Sequence, residues 1–136
     1  MYEWGINKLV GLEIANVRVP DRYSGDGSIY LNLADGKRCI VLTPEGDCCA
    51  HCYIQHINFA EVLQGAKVTE VEDLEGNRIE PEQYGDVVDC WGHRIHTTKG
   101  ICTIDMRLSH NGYYGGALTM SEQDGWYTEG KPLEDF

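Results

Sequence analysis

Alternation of apolar and polar residues recurs along most of the chain and predicts a sheet-rich fold. The dipeptide Asp35-Gly36 separates two such segments, and both of its residues tolerate a positive φ, so it predicts a tight hairpin turn. The predicted strands occupy residues 10–19, 28–34, 37–42, 67–74, 87–97, 101–107 and 117–121.

Two short segments between the third and fourth strands carry helix signals instead. Asp47 is a candidate N-cap for a helix at residues 48–56, and Asn58 is one for a second helix at residues 59–64. We therefore predict an α+β fold, namely a single domain in which an antiparallel sheet of about seven strands carries one or two short helices.

The length and composition indicate one globular unit. The 136 residues suit a single domain spanning residues 1–136, and 42% are apolar and 24% charged. We expect residues 122–136 to form a loosely packed tail. No apolar run approaches the roughly 20 residues of a membrane helix, and the N-terminus lacks a signal-peptide pattern. We therefore expect a cytoplasmic protein with no membrane partner.

The net charge of −11, from 22 acidic and 11 basic residues, limits the possible partners. It argues against DNA or RNA as a partner, because nucleic-acid binding relies on a basic surface. It leaves open a small anion, for which one or two local arginines suffice. It also leaves open an acidic protein-protein inhibitor, such as an anti-CRISPR, that presents a nucleic-acid-like surface to a basic partner.

A cluster of thiols and imidazoles in the segment 48–56 raises the question of a metal. In a helix, several of these side chains would share a face. Zinc needs four ligands, however, and His93 and His96, three apart on a predicted strand, would point to opposite faces. A zinc-stabilised domain is therefore an alternative, and we favour cysteines that pack as small apolar residues, with no metal and no cofactor. The cluster comprises Cys48, Cys49, Cys52 and His56.

No familiar catalytic motif is present. Ser109 adjoins His110, but no Gly-x-Ser-x-Gly elbow surrounds it. The sequence contains no Walker loop, dinucleotide fingerprint or zinc-protease helix. We therefore expect a binding protein and not an enzyme.

The stretch from residue 107 to residue 116 is the strongest candidate for a binding loop. It combines a planar cation, an amide, two aromatic rings and three glycines between two apolar strands. Alternation along residues 101–107 turns Arg107 and Asp105 away from the core, so the alternative is a surface ion pair of little value. Trp91 is either an aromatic wall beside Arg107 or an ordinary core residue. The predicted ligand-binding residues are Arg107, Asn111, Gly112, Tyr113, Tyr114, Gly115, Trp91 and Tyr84.

The sequence resembles a phage-associated family of small domains. The resemblance rests on Gly46-Asp47-Cys48-Cys49, on the segment from Cys102 to Arg107, and on Asn111-Gly112-Tyr113-Tyr114-Gly115-Gly116, and it covers most of residues 8–121. The chain departs from that pattern where Ala50 and Tyr53 replace Ser and Trp, and where His110 stands at a position at which Ser is common.

Size and pattern are also similar to the Thoeris anti-defence family of phage proteins. That resemblance implies a sponge that binds cyclic ADP-ribose isomers, or a related cyclic nucleotide, without degrading them. It further implies a homo-oligomer in the host cytoplasm, with ligand pockets at subunit interfaces. Arg107 and the loop from Asn111 to Gly116 are the positions that match.

Overall fold

The computed structural model describes residues 4–136, and the fold of this part of the chain is nearly all β. Two short 3-10 helices, Ile6–Leu9 and Ala60–Leu63, are its helical elements. The strands are β1 Trp4–Gly5, β2 Glu13–Val19, β3 Ile29–Leu33, β4 Arg38–Gly46, β5 His51–Asn58, β6 Ala66–Ile79, β7 Val87–Thr97, β8 Gly100–His110, β9 Gly116–Asp124 and β10 Lys131–Pro132.

The predicted α+β fold with about seven strands is wrong, because the segment expected to be a helix is β5. Its buried positions are Cys52, Ile54 and Ile57. The first two alternate as in a strand, and a bulge between Ile54 and His56 shifts the inward face to Ile57. Pairing with β8 along its length fixes this segment as a strand, which shows long-range pairing overriding a local capping signal.

All ten strands join one antiparallel sheet in the order β1-β9-β4-β3-β2-β6-β7-β8-β5, with β10 paired to β2. The sheet divides at the β2–β6 junction, where only two residue pairs link the strands. Apolar residues from both halves form a single core cluster, so the halves pack face to face. The hairpin predicted at Asp35-Gly36 is confirmed between β3 and β4, and Gly36 has a φ of +73°.

A bulge between Leu74 and Asn77 lets β6 continue past the position where alternation ended the predicted strand. Gly76 lies in this bulge. A Cβ placed on it would lie 1.4 Å from the carbonyl oxygen of Cys90, so no other residue fits without moving the backbone.

The C-terminal residues are attached to the sheet at several points. The buried amide of Asn32 donates to the carbonyl oxygen of Tyr127 at 2.9 Å and accepts from its N–H at 2.9 Å. Backbone hydrogen bonds then join Phe136 to Ile57. Leu133 is buried in the core cluster, so the tail contributes to the core. Within residues 4–136, no helix is long and apolar enough to cross a membrane.

Candidate functional site

A shallow groove of about 410 Å³ crosses the outer face of the β5–β8–β7–β6 half, the side turned away from the core. Polar side chains of β5 and β8 form one wall, and the bulged part of β6 forms the other. Residues that line it include His56, Asn58, Thr103, Asp105 and Arg107 on the first side, and Leu74, Asn77, Ile79, Cys90 and Gly92 on the second.

Arg107 is the cation of this groove. Its inward-facing neighbours Met106 and Leu108 are buried in the core cluster, so strand alternation places Arg107 on the outer face, where 21% of its side chain is exposed. Its Nη1 donates to Asp105 and to the carbonyl oxygen of Met106 at 2.9 Å. Within the described part of the chain these are its hydrogen bonds, so Nε and Nη2 keep N–H groups that a ligand could use.

The aromatic neighbour of Arg107 is Tyr53, which is not among the predicted ligand-binding residues. Tyr53 on β5 and Cys90 on β7 lie directly opposite Arg107, and residues opposite one another share a face. Trp91 pairs instead with the fully buried Met106 and packs against the core cluster. Trp91 therefore borders the groove from the core side, and the predicted aromatic wall beside Arg107 is not formed by its ring.

Gly92 on β7 is one of the residues that line the groove. A Cβ at this position would lie 2.6 Å from the carbonyl oxygen of Ile104 on the neighbouring strand. The absence of a side chain allows the close approach of the strands and leaves the depression open above them.

The predicted binding loop does not line the groove. About 13 Å of strand separates Arg107 from Asn111 at 3.3 Å per residue. The loop packs against the turn at residues 47–50 instead: the N–H of Asp47 donates to the carbonyl oxygen of Gly115 at 2.9 Å, and the N–H of Gly115 donates to Oδ2 of Asp47 at 2.8 Å. The two sequence motifs therefore meet in space.

A fully buried imidazole holds the loop from beneath. Nδ1 of His110 accepts hydrogen bonds from the N–H groups of Gly112, at 2.9 Å, and Tyr114, at 3.3 Å. Since Nδ1 accepts, the proton lies on Nε2, which donates to Oδ2 of Asp89 at 2.6 Å. Asp89 also accepts two bonds from Arg78, at 2.7 and 3.2 Å, and these lower the pKa of its carboxyl group.

The predicted tyrosines lie away from the groove. Tyr113 is 90% exposed at the tip of the loop, and Tyr84 is fully exposed in the connection between β6 and β7. Tyr114 is half-buried beside the turn at residues 47–50, where its side chain is a hydrogen-bonding partner of the Cys49 thiol. None of these rings faces Arg107 across a strand pair.

The residues considered as zinc ligands do not lie together, because the segment that carries them forms strand β5 and not a helix. Cys52 is buried in the core, His56 lies on the outer face at the groove, and Cys48 and Cys49 are exposed in the turn. In residues 4–136, no three His, Cys, Asp or Glu side chains converge as metal ligands do. The alternative of a zinc-stabilised domain depended on a shared helical face, and that face does not form.

Residues 7–120 match the family model described as Domain of unknown function (DUF7448), and the chain belongs to this family. The description assigns no catalytic activity. No curated protein and no solved structure matches the chain.

Proposed function

We propose that this member of the family is a phage anti-defence protein that sequesters a cyclic ADP-ribose-type nucleotide in the host cytoplasm without degrading it. The observation that carries the proposal is Arg107 in the outer groove, with N–H groups to spare and an aromatic ring directly opposite. The resemblance to Thoeris anti-defence proteins supplies the ligand class.

The chemistry of the groove suits a small anion that bears a ring. The free Nε and Nη2 of Arg107 offer a planar pair of donors to a phosphate oxygen. Tyr53 lies opposite Arg107, next to the residues that line the groove, and is an aromatic ring on which a purine could stack beside the guanidinium. Asn58 and Thr103 add neutral polar groups along the same wall, which suits ribose hydroxyls. Asp105 orients the guanidinium and excludes a second anion.

A homo-oligomer completes the proposal. The groove lies open on the sheet face, and a nucleotide bound there would leave much of its surface in water. Tight small-molecule sites bury most of their ligand. A second copy packed over this face would supply the missing walls, as the resemblance implies. Light scattering with and without ligand measures the oligomer.

The decisive experiment is calorimetric titration of the full chain with cyclic ADP-ribose isomers. The protein is then heat-denatured, and the released ligand is analysed by mass spectrometry. We expect saturable binding and release of the unaltered ligand. No heat with any isomer would overturn the proposal, and a chemically altered ligand would make the protein an enzyme.

Arg107→Ala tests the site itself. Loss of the charge-assisted bonds should cost about 1.5–3 kcal/mol, which weakens binding roughly 10- to 100-fold. Arg94→Ala is the matched control, because Arg94 lies on the same outer face of β7, is paired with Glu72 at 3.1 Å and does not line the groove. Equal binding by both variants would remove Arg107 from the site.

An acidic protein-protein inhibitor is the second candidate, and the chemistry of β6 favours it. Glu70, Asp73 and Glu75 are exposed along this strand in a chain of net charge −11. A stoichiometric host protein captured from lysate by the wild type, and lost when these three residues are changed to Gln or Asn, would favour this function over ligand sequestration.

A further inference from the structure

Two adjacent cysteines stand apart from the other four. Cys48 and Cys49 are exposed in the turn between β4 and β5, and their sulfur atoms are 3.3 Å apart. Burial raises the pKa of the core thiols, to about 11 for Cys52 and about 12 for Cys102. The hydrogen bond with Cys48 also raises the pKa of Cys49, but both thiols of this pair are open to solvent, so this is the pair that a small disulfide can reach.

The backbone brings the two sulfurs together. Cys49 has a φ of +72°, a left-handed conformation that costs a residue with a side chain about 1–3 kcal/mol. The N–H of Ala50 closes the turn by donating to the carbonyl oxygen of Asp47 at 3.0 Å. Strain of this kind persists where the surrounding structure enforces it, and here the two ends of the turn are fixed in β4 and β5.

We propose that Cys48 and Cys49 form a reversible dithiol-disulfide site that a small-molecule disulfide of the glutathione class oxidises. One cysteine thiolate attacks the small disulfide, forms a mixed disulfide and releases one thiol. The second thiolate attacks the protein sulfur of that mixed disulfide, closes the bond between Cys48 and Cys49 and releases the second thiol. The two electrons and two protons lost by the protein reduce the small disulfide to two thiols.

The resulting bond is easily reduced. Adjacent Cα atoms are about 3.8 Å apart across a trans peptide, whereas ordinary disulfides span roughly 4.4–6.8 Å. A disulfide between neighbours is consequently strained, and strained, exposed disulfides are the labile and regulatory ones. The site is expected to be reduced in a reducing cytosol and to oxidise when the ratio of oxidised to reduced glutathione rises.

Oxidation of Cys48 and Cys49 would move the loop from Asn111 to Gly116. Asp47, next to Cys48, exchanges two hydrogen bonds with Gly115, and the side chain of Tyr114 contacts the Cys49 thiol. Moving the sulfurs from 3.3 Å to the roughly 2.05 Å of a disulfide bond must shift this turn and the loop attached to it. The site does not depend on the nucleotide proposal, because neither cysteine lines the groove.

The test incubates the full chain in buffers with increasing ratios of oxidised to reduced glutathione. Samples are quenched with acid, alkylated with a maleimide and analysed by intact and peptide mass spectrometry. The expected product is a monomer that has lost the mass of two hydrogen atoms, with Cys48 and Cys49 protected from alkylation together and restored by dithiothreitol. The expected shift of the Gly115 amide resonance reports the movement of the loop.

Single variants separate the proposal from simple thiol exposure. Cys48→Ser and Cys49→Ser should each trap a stable glutathione adduct on the remaining cysteine, because no second thiol resolves it. The double serine variant, which keeps the four buried thiols, should show neither adduct nor resonance shift. A stable adduct or covalent dimer in the wild type, or no change across the series, would overturn the proposal.

Discussion

Replacement of His110 by Ala is the most informative perturbation of the loop, because one side chain holds it from the core. His110 is fully buried and makes one bond to Asp89 and two to the backbone amides of Gly112 and Tyr114. Alanine removes all three bonds and leaves Asp89 to its second partner, Arg78. The loop loses its attachment to the core but keeps the two bonds between Gly115 and Asp47, while the strands beside it keep their register.

The magnitude follows from these contacts. The bond to a charged carboxylate is worth about 1.5–3 kcal/mol and each neutral bond about 1 kcal/mol. The Asp89 side chain is 28% exposed, so solvent screening places the contribution of the His110–Asp89 bond near the lower limit of that range. The loss should therefore be about 3–4 kcal/mol in the free energy of unfolding, and the vacated volume adds to it.

Urea denaturation measures this loss, and amide hydrogen exchange assigns it to the loop. We expect faster exchange at Gly112 and Tyr114 in His110→Ala. His51→Ala is the matched control, because His51 also faces a carboxylate, that of Asp26 at 3.4 Å, but with 62% of its side chain exposed. It should cost less than about 1 kcal/mol. A loss below about 1 kcal/mol for His110→Ala would refute the assigned role.

Three further outcomes follow from other contacts. The pKa of Asp89 is lower in the folded protein than its unfolded value of about 3.9. Its carboxylate therefore stabilises the fold above that value, and this stabilisation is lost as the pH falls through the folded pKa. Urea titrations should accordingly show that Arg78→Ala costs less unfolding free energy below about pH 4 than at neutral pH. Gly92→Ala should lower the unfolding free energy by about 1–3 kcal/mol, because its Cβ would lie 2.6 Å from the oxygen of Ile104; calorimetric Tm values measure this. Asn32→Leu should make the chain near Tyr127 more sensitive to limited proteolysis than it is in the wild type, because the buried amide no longer bonds the backbone of Tyr127.

Features encoded by neighbouring residues could be predicted from the sequence. The Asp35-Gly36 hairpin depends on local turn chemistry, and the strand at residues 87–97 depends on its own residues; both occur as expected. The bulges near Gln55 and Gly76 could not be predicted, because each depends on the pairing of distant strands. A bulge shifts the two-residue period, so β5 carries no regular alternation to set against the capping signal of Asp47, which suggested a helix.

Part of the candidate site could likewise be predicted from the sequence, and part could not. Alternation predicts that Arg107 faces away from the core, and the buried neighbours on β8 place it there. Which residues lie opposite Arg107 depends on the register between strands, and that register cannot be read from the sequence of one strand alone. Tyr53 was therefore missed because it lay in the supposed helix. For Trp91 the sequence left open a wall beside Arg107 or a core position, and its pairing with Met106 and its contact with the core cluster favour the core position, although it also borders the groove.

The glycines of the two motifs have a packing explanation that is separate from ligand binding. Gly46 and Gly116 lie opposite one another on β4 and β9. A Cβ on Gly116 would lie 2.8 Å from Cδ1 of Leu108, and one on Gly46 would lie 3.2 Å from the carbonyl oxygen of Ala50. Close approach at this corner therefore accounts for their presence without a ligand. Arg107 differs from these glycines, because its spare donors have no structural task of this kind, and it is therefore the residue that supports a bound nucleotide.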